Sequence, residues 1–196
     1  NYFEINYSLN RLFGQGGIYK DLMLYNFVDN HDVNRIGSIL KERRNLKNVY
    51  TLMFTMPGIP SIYYGSEWGI EGEKANGSDA AIRPCIDLKE MEGKEEELVA
   101  HIGNLAQIKK EQKALQFGLY EQVVVKNKQL VFARSYGDET VYVLLNLDDQ
   151  DENISFRVKR NDRTLKDLLE KGKEYTTNNG EINIVLPSFT SQVLLL

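Results

Sequence analysis

Residues 22–35 read LMLYNFVDNHDVNR, an apolar run that ends abruptly in a polar cluster. A short apolar run bounded by polar residues is typical of a buried strand, and we predict one over residues 22–28. His31, Asp32 and Arg35 follow that run directly. Burying so many polar groups would be costly, so we expect them at an open end of the sheet.

Downstream of this segment, the pattern alternates between strand and helix. Residues 46–56 carry apolar side chains at three- and four-residue spacing, which predicts a helix, and residues 61–64 predict a second strand. Residues 69–93 have no period and predict a long loop, whereas the apolar stripe of residues 95–115 predicts another helix. This alternation is typical of βα units around a parallel sheet, whose strand ends hold active sites in barrels.

Beyond residue 116 the pattern changes to short segments rich in β-branched and aromatic residues, separated by turn signals. Strands at this spacing predict an antiparallel β-sandwich. The predicted strands are residues 122–126, 129–136, 140–147, 153–158, 181–186 and 188–196.

The composition limits the classes of function. A chain of 196 residues with 42% apolar and 27% charged residues is typical of a soluble globular protein. Its net charge of −4 argues against binding to nucleic acid or to an anionic membrane, and its apolar runs are too short to span a bilayer. The single cysteine, Cys85, excludes an internal disulfide, and only two histidines accompany it, which argues against a His/Cys metal site.

From the residues alone, the polar cluster has two interpretations. It is either the mouth of an active site or a charged loop in which the carboxylate of Asp32 caps a helix. A resemblance favours the first. Residues 27–32, a strand ending in Asn-His-Asp, resemble a segment of the alpha-amylase family of glycoside hydrolases, as does the Arg that follows shortly after.

Three further stretches are similar to this family in the same order. Residues 58–67 (GIPSIYYGSE) resemble its eighth barrel strand, which usually reads Gly-x-Pro…Tyr-Tyr-Gly-Asp-Glu. Residues 109–120 resemble its last barrel helix and the entry to a β-domain, and residues 141–147 resemble a central strand of that domain. Two departures stand out: Ser66 replaces the usual Asp, which puts the contacts of that Asp in doubt, and residues 83–88 match only loosely.

The resemblance implies a fold class of α/β plus all-β. Residues 1–115 are expected to form a C-terminal segment of a (β/α)8 TIM barrel, and residues 116–196 an antiparallel β-sandwich domain. Family members are retaining hydrolases of α-glucosidic bonds. By its match to the family motif, Asp32 is implied to be the carboxylate that stabilises the transition state, with His31 and Arg35 as substrate-binding residues. The implied partner is an α-glucan oligosaccharide of starch or maltodextrin.

The family's nucleophile, general acid and usual calcium-binding loops lie on earlier strands, and we predict no such strands before Tyr25. The chain does not begin with Met, so we expect a piece of a longer protein, inactive alone and without a cofactor of its own. Calcium is expected only in an upstream part. Exposed barrel edges are expected to promote self-association. The alternatives are a non-catalytic carbohydrate-binding or scaffold module and a transporter-associated amylase-like subunit with an upstream membrane helix.

Overall fold

The computed structural model of the protein describes residues 1–160 and 163–196. All of its helices and two short strands lie before residue 118, and the remaining strands follow. The α-helices are α1 (Tyr2–Phe13), α2 (Ile36–Ile39), α3 (Leu46–Thr55), α4 (Leu88–Met91), α5 (Glu96–Glu111) and α6 (Lys113–Phe117), with 3₁₀ turns at Arg43–Asn45 and Ser66–Trp68. The strands are β1 (Tyr25–Phe27), β2 (Ile59–Ser61), β3 (Leu119–Val125), β4 (Gln129–Tyr136), β5 (Glu139–Asn146), β6 (Glu152–Arg157), β7 (Thr164–Asp167), β8 (Glu174–Thr176), β9 (Glu181–Leu186) and β10 (Ser191–Leu195).

Strands β1 and β2 form a parallel pair, with Tyr25 opposite Ile59 and Phe27 opposite Ser61. Helix α3 lies between them in the chain, as the predicted βα alternation requires. The second strand was predicted at residues 61–64, but β2 ends at Ser61, where its pairing with β1 stops. Tyr63 already lies in a turn, in which its carbonyl oxygen accepts a hydrogen bond from the N–H of Ser66.

The prediction that β1 is buried is wrong for the described residues. Tyr25 is 68% and Phe27 46% exposed. The parallel pair has no third strand among these residues, so its outer edges and much of its surface face solvent. An apolar run identifies a strand that a closed barrel would cover, but it does not say whether the covering strands are present.

Helices α3 and α5 pack against each other through an apolar core that includes Tyr50, Met53, Leu98 and Leu105. The helix predicted over residues 46–56 is confirmed by α3. The helix predicted over residues 95–115 is interrupted. Gln112 takes an extended conformation (φ −94°, ψ 111°), so α5 ends before it and α6 begins after it.

The second part of the chain is an antiparallel β-sandwich, which confirms that prediction. A six-stranded sheet has the order β3-β4-β5-β10-β7-β8, and a two-stranded sheet of β6 and β9 packs on it. The core between the sheets contains Val131, Leu144, Ile154 and Ile184. Alternating buried and exposed positions along β6 and β9 give those two strands one core face and one solvent face.

The opposite face of the six-stranded sheet is also covered, this time by helices. Phe132 and Val143 point to a core that contains Tyr2 and Phe13 of α1 and Leu115 of α6. Strand β5 is therefore buried along most of its length, with neighbouring residues in different cores.

Arg134 of β4 joins the sheet to the helices, and the partly buried Lys109 of α5 joins two helix ends to each other. Arg134 is 1% exposed and donates hydrogen bonds to the carbonyl oxygens of Thr55 (2.6 Å) and Gly118 (2.9 and 3.1 Å). Lys109 donates to the carbonyl oxygen of Leu115 at 3.1 Å. Thr55 is the last residue of α3 and Leu115 lies in the short α6, so carbonyl oxygens near these helix ends accept from the cations. Among the described residues, neither cation has a carboxylate partner.

Candidate active-site cluster

The carboxylate of Asp29, just after β1, has a structural role. Asp29 is 2% exposed, and its Oδ2 accepts a hydrogen bond from the backbone N–H of Ile36 at 2.9 Å. The hydroxyl of Ser66 donates to both carboxylate oxygens, at 2.7 and 2.8 Å. The helix-capping role considered for Asp32 thus belongs to Asp29, at the start of α2.

Arg35, for which the resemblance implies contact with substrate or with the carboxylate cluster, is fully buried. Its Nε donates to the carbonyl oxygen of Ile82 at 2.9 Å, and its Nη1 donates to the carbonyl oxygen of Tyr64 at 2.8 Å and to Ser66 Oγ at 3.1 Å. The guanidinium also lies 4.2 Å from the ring centre of Tyr63. In this structure Arg35 fixes the loop after β2 and reaches Asp29 through Ser66.

Ser66 therefore occupies the centre of a buried polar cluster. Its carbonyl oxygen accepts a hydrogen bond of 2.8 Å from the hydroxyl of Tyr50, whose pKa is raised by burial and then by the charges of Asp29 and Glu67. Because the usual Asp of this position is replaced by a neutral hydroxyl, Ser66 links Asp29 and Arg35 without adding a second negative charge. Ser66, which stands where the resemblance to the family leads us to expect Asp, therefore fits the hydrogen bonds of this cluster.

His31 and Asp32 instead face solvent, with side chains 58% and 57% exposed. His31 Nε2 lies 3.1 Å from Asp32 Oδ2. The other carboxylate oxygen, Oδ1, accepts a hydrogen bond from Arg83 Nη2 at 3.1 Å. The structure thus brings His31 and Asp32 together at the carboxyl end of β1 and separates them from buried Arg35.

The sequence did not single out Arg83, Asp79 or Lys74 as site residues. Arg83 Nε donates to the carbonyl oxygen of His31 at 2.9 Å, and Arg83 Nη2 lies 2.8 Å from Asp79 Oδ2. Lys74 Nζ donates to the carbonyl oxygen of Asp32 at 3.1 Å. All three come from the predicted long loop, and the four-residue spacing of Asp79 and Arg83 was the one local signal that paired them.

The tyrosines after β2 border the same cluster. The ring centres of His31 and Tyr63 are 6.3 Å apart, and those of Tyr63 and Tyr64 are 4.7 Å apart in an edge-to-face arrangement. Tyr64 is 42% exposed and donates its hydroxyl to the carbonyl oxygen of Pro84. An exposed carboxylate, an imidazole and an aromatic wall form a surface that can accept and donate hydrogen bonds to a polar ligand.

The described part of the chain contains neither a cluster of metal ligands nor a helix that could span a membrane. In residues 1–160 and 163–196, no three His, Cys, Asp or Glu side chains converge to hold a metal ion. None of the helices described combines the length and the apolarity that crossing a membrane requires.

Comparison with known proteins identifies both parts of the chain. The family model of the alpha-amylase catalytic domain matches residues 14–117, and that of the maltogenic amylase C-terminal domain matches residues 120–192. A cyclomaltodextrinase of Geobacillus thermopakistaniensis is 26% identical over 168 residues, 84% of this chain and 28% of the relative. A maltogenic alpha-amylase of Bacillus acidopullulyticus is 28% identical over 162 residues, 80% of this chain and 27% of the relative.

Solved structures support the fold. An alpha-amylase of Anoxybacillus superposes with a TM-score of 0.79 at 24% identity, covering 91% of this chain and 39% of that one. An alpha-amylase of Geobacillus thermoleovorans, solved in complex with acarbose, superposes with a TM-score of 0.80 at 21% identity, covering 98% and 42%. The chain therefore spans less than half the length of these proteins, and by its matching domains it belongs to the alpha-amylase family.

Proposed function

We propose that this chain is the C-terminal part of a retaining α-glucan hydrolase that acts on α-1,4-glucosidic bonds of starch or maltodextrin. The observation that carries the proposal is the placement of Asp32. Its carboxylate is exposed at the carboxyl end of a parallel strand, with one oxygen beside His31 and the other beside Arg83. In barrels of this kind, reactive groups lie at that end of the strands.

In the proposed mechanism, Asp32 stabilises positive charge on the sugar ring. A retaining hydrolase passes through an oxocarbenium-like transition state, and a fixed negative charge near that centre lowers its energy. The carboxylate also accepts hydrogen bonds from sugar hydroxyls, and His31 donates one from its imidazole. The contacts with Arg83 and His31 hold the carboxylate in place before the sugar arrives, which reduces the cost of organising the site.

The nucleophile and the general acid of the double displacement are proposed to come from upstream of this sequence. Other exposed carboxylates of the described chain, such as Glu71 and Asp87, do not match the motifs of either role. The 196 residues alone are therefore expected to give no hydrolysis of maltodextrin or of a chromogenic α-glucoside. Turnover above the buffer blank, in a preparation free of host amylase, would contradict this.

The test of the proposal is Asp32→Asn in the full-length enzyme. The amide keeps the size of the side chain and removes its charge, so kcat should fall by about 10²–10⁴, or about 3–5 kcal/mol of transition-state stabilisation. His31→Ala should cost less, because it removes a donor and not a charge. Asp21→Asn, an exposed carboxylate just before β1, is the matched control and should leave kcat unchanged. A kcat of Asp32→Asn near that of the wild type would refute the assignment.

A further inference from the structure

The backbone around Arg83 is held on both sides. The carbonyl oxygen of Ile82, the residue before it, accepts a hydrogen bond of 2.9 Å from Arg35 Nε. The carbonyl oxygen of Pro84, the residue after it, accepts one of 2.9 Å from the hydroxyl of Tyr64. Arg83 is therefore bracketed by two side-chain hydrogen bonds that come from other segments of the chain.

Both of these hydrogen bonds depend on Arg35. The side chain is fully buried, and its Nη1 donates to the carbonyl oxygen of Tyr64 at 2.8 Å. Its guanidinium also lies 5.1 Å from the ring centre of Tyr64. A guanidinium holds its N–H donors in a rigid planar fork, so the carbonyl groups of Ile82 and Tyr64 are kept in a fixed relation to each other. Arg35 thus places Ile82 directly and places Pro84 through Tyr64.

The turn before Arg83 adds a local restraint. The backbone N–H groups of Ile82 and Arg83 both donate to the carbonyl oxygen of Asp79 at 3.0 Å. The side chain of Ile82 is fully buried, which anchors the turn in the interior. With the residues on both sides of it fixed, Arg83 has little backbone freedom, and its side chain starts from a defined position.

The side chain of Arg83 carries this restraint to the candidate site. It donates from Nε to the carbonyl oxygen of His31 and from Nη2 to Asp32 Oδ1. The side chains of Arg83 and Asp32 are 42% and 57% exposed, and an ion pair this exposed holds its geometry poorly by itself. The hydrogen bonds to Ile82 and Pro84 supply the missing order at the backbone of Arg83.

We propose that Arg35 and Tyr64 are positioning residues for Asp32, and that they act through the backbone and the guanidinium of Arg83. In this role the hydroxyl of Tyr64 orients the protein and does not bind sugar. The assignment of Asp32 as the carboxylate that stabilises the transition state rests on the proposed function. The restraint on Arg83 rests on the contacts of the chain alone.

The first test measures the restraint itself, in the 196-residue chain. Replacing Arg35 would leave buried carbonyl oxygens without a donor and would destabilise the loop, so the variant is Tyr64→Phe, which removes only a hydroxyl. NMR follows the Nε–H signal of Arg83, which is identified by its loss in Arg83→Lys. Its exchange with solvent should become about threefold to tenfold faster in Tyr64→Phe. Tyr136→Phe, which removes an exposed tyrosine hydroxyl on the β-domain, is the matched control and should leave the exchange unchanged.

The second test measures activity in the full-length protein. Tyr64→Phe should lower kcat by about 3–10-fold with little change in KM, and Tyr136→Phe should leave both unchanged. In the background of Arg83→Met, Tyr64→Phe should cause no further loss, because its connection to Asp32 is already broken. Losses that multiply in the double variant would overturn the proposal, since Tyr64 would then act independently of Arg83. A raised KM at constant kcat would overturn it too, because Tyr64 would then bind substrate.

The two tests separate this proposal from the proposed function. Unchanged exchange of the Arg83 Nε–H in Tyr64→Phe overturns the positioning role, whatever the activity. Faster exchange supports the restraint on Arg83 even if Asp32→Asn keeps full activity, an outcome that refutes the proposed function alone. Faster exchange with an unchanged kcat in Tyr64→Phe, where Asp32→Asn is impaired, overturns the effect on Asp32.

Discussion

Lys109 should make the stability of this protein depend on pH near neutrality. The side chain is largely buried between helix ends and the sheet, and burial, followed by the charge of Arg134, lowers its pKa from the usual 10.5 to about 7. The folded chain therefore releases this proton at a lower pH than the unfolded chain does. Below about pH 7 both states hold the proton, and above about pH 10.5 neither does, so between these values the folded state gains stability as the pH rises.

The size of the effect follows from that window. Within it, each pH unit changes the free energy of unfolding by up to about 1.4 kcal/mol. Allowing for partial titration near its lower end, we expect a rise of about 2 kcal/mol between pH 7 and pH 9. For a chain of this size, such a rise corresponds to an increase in Tm of about 4–8 °C.

The assay compares the wild type with Lys109→Met by thermal unfolding at several pH values. Methionine keeps most of the length and removes the charge, so the slope between pH 7 and pH 9 should largely disappear. Lys110→Met, at the exposed neighbouring position, is the control and should keep the slope. Equal slopes in Lys109→Met and the wild type would refute the reasoning, because other groups would then be responsible for the dependence.

Three further predictions concern the site, the backbone and the surface. If Asp32 acts as proposed, Arg83→Met in the full-length protein should lower kcat by about 10–100-fold with a smaller change in KM, and Arg83→Lys should restore part of it. Equal activity of the three proteins would show that Arg83 does not position the Asp32 carboxylate. Gly58→Ala should lower the free energy of unfolding, measured in urea, by about 3 kcal/mol, because the φ of Gly58 is 110° and the new Cβ would lie 2.5 Å from the carbonyl oxygen of Leu24. Gly16→Ala is the control and should change this free energy little, because no atom lies near its new Cβ. The chain should self-associate through the exposed β1–β2 edge, so Tyr25→Lys should reduce the mass seen by light scattering, and Val185→Lys on the sandwich surface should not; a monodisperse wild-type monomer would contradict this.

Segments with a strong period were predicted well from the sequence. The strands at residues 129–136 and 181–186 have the predicted bounds, because alternating or continuous apolar residues end at clear turn signals. Strands β7 (TLKD) and β8 (EYT) were missed, since each is too short to show a period and exists through pairing with a neighbour. Helix α1 was also not predicted, although its buried residues recur at helical spacing.

The candidate site shows a similar division. The motif placed His31 and Asp32 correctly at the end of a strand, because a polar cluster after an apolar run implies an open end. Which carboxylate caps a helix and which is exposed depends on the direction of each side chain, and a sequence does not give this for Asp29 and Asp32. The contact with Arg83 joins residues 51 positions apart across a loop without a period, so local patterns carry no information about it.

The six-stranded sheet has a consequence for how the molecule comes apart. One face of strand β5 packs against the helices and the other packs against β6 and β9. Detachment of either layer would therefore expose an apolar face of β5 to water. The amide protons of Val143 and Leu144 should accordingly exchange with solvent only through global opening, and heating should give one transition for both parts of the chain. The border between the two matching family models, near residue 118, is then not expected to be a border between separately unfolding parts.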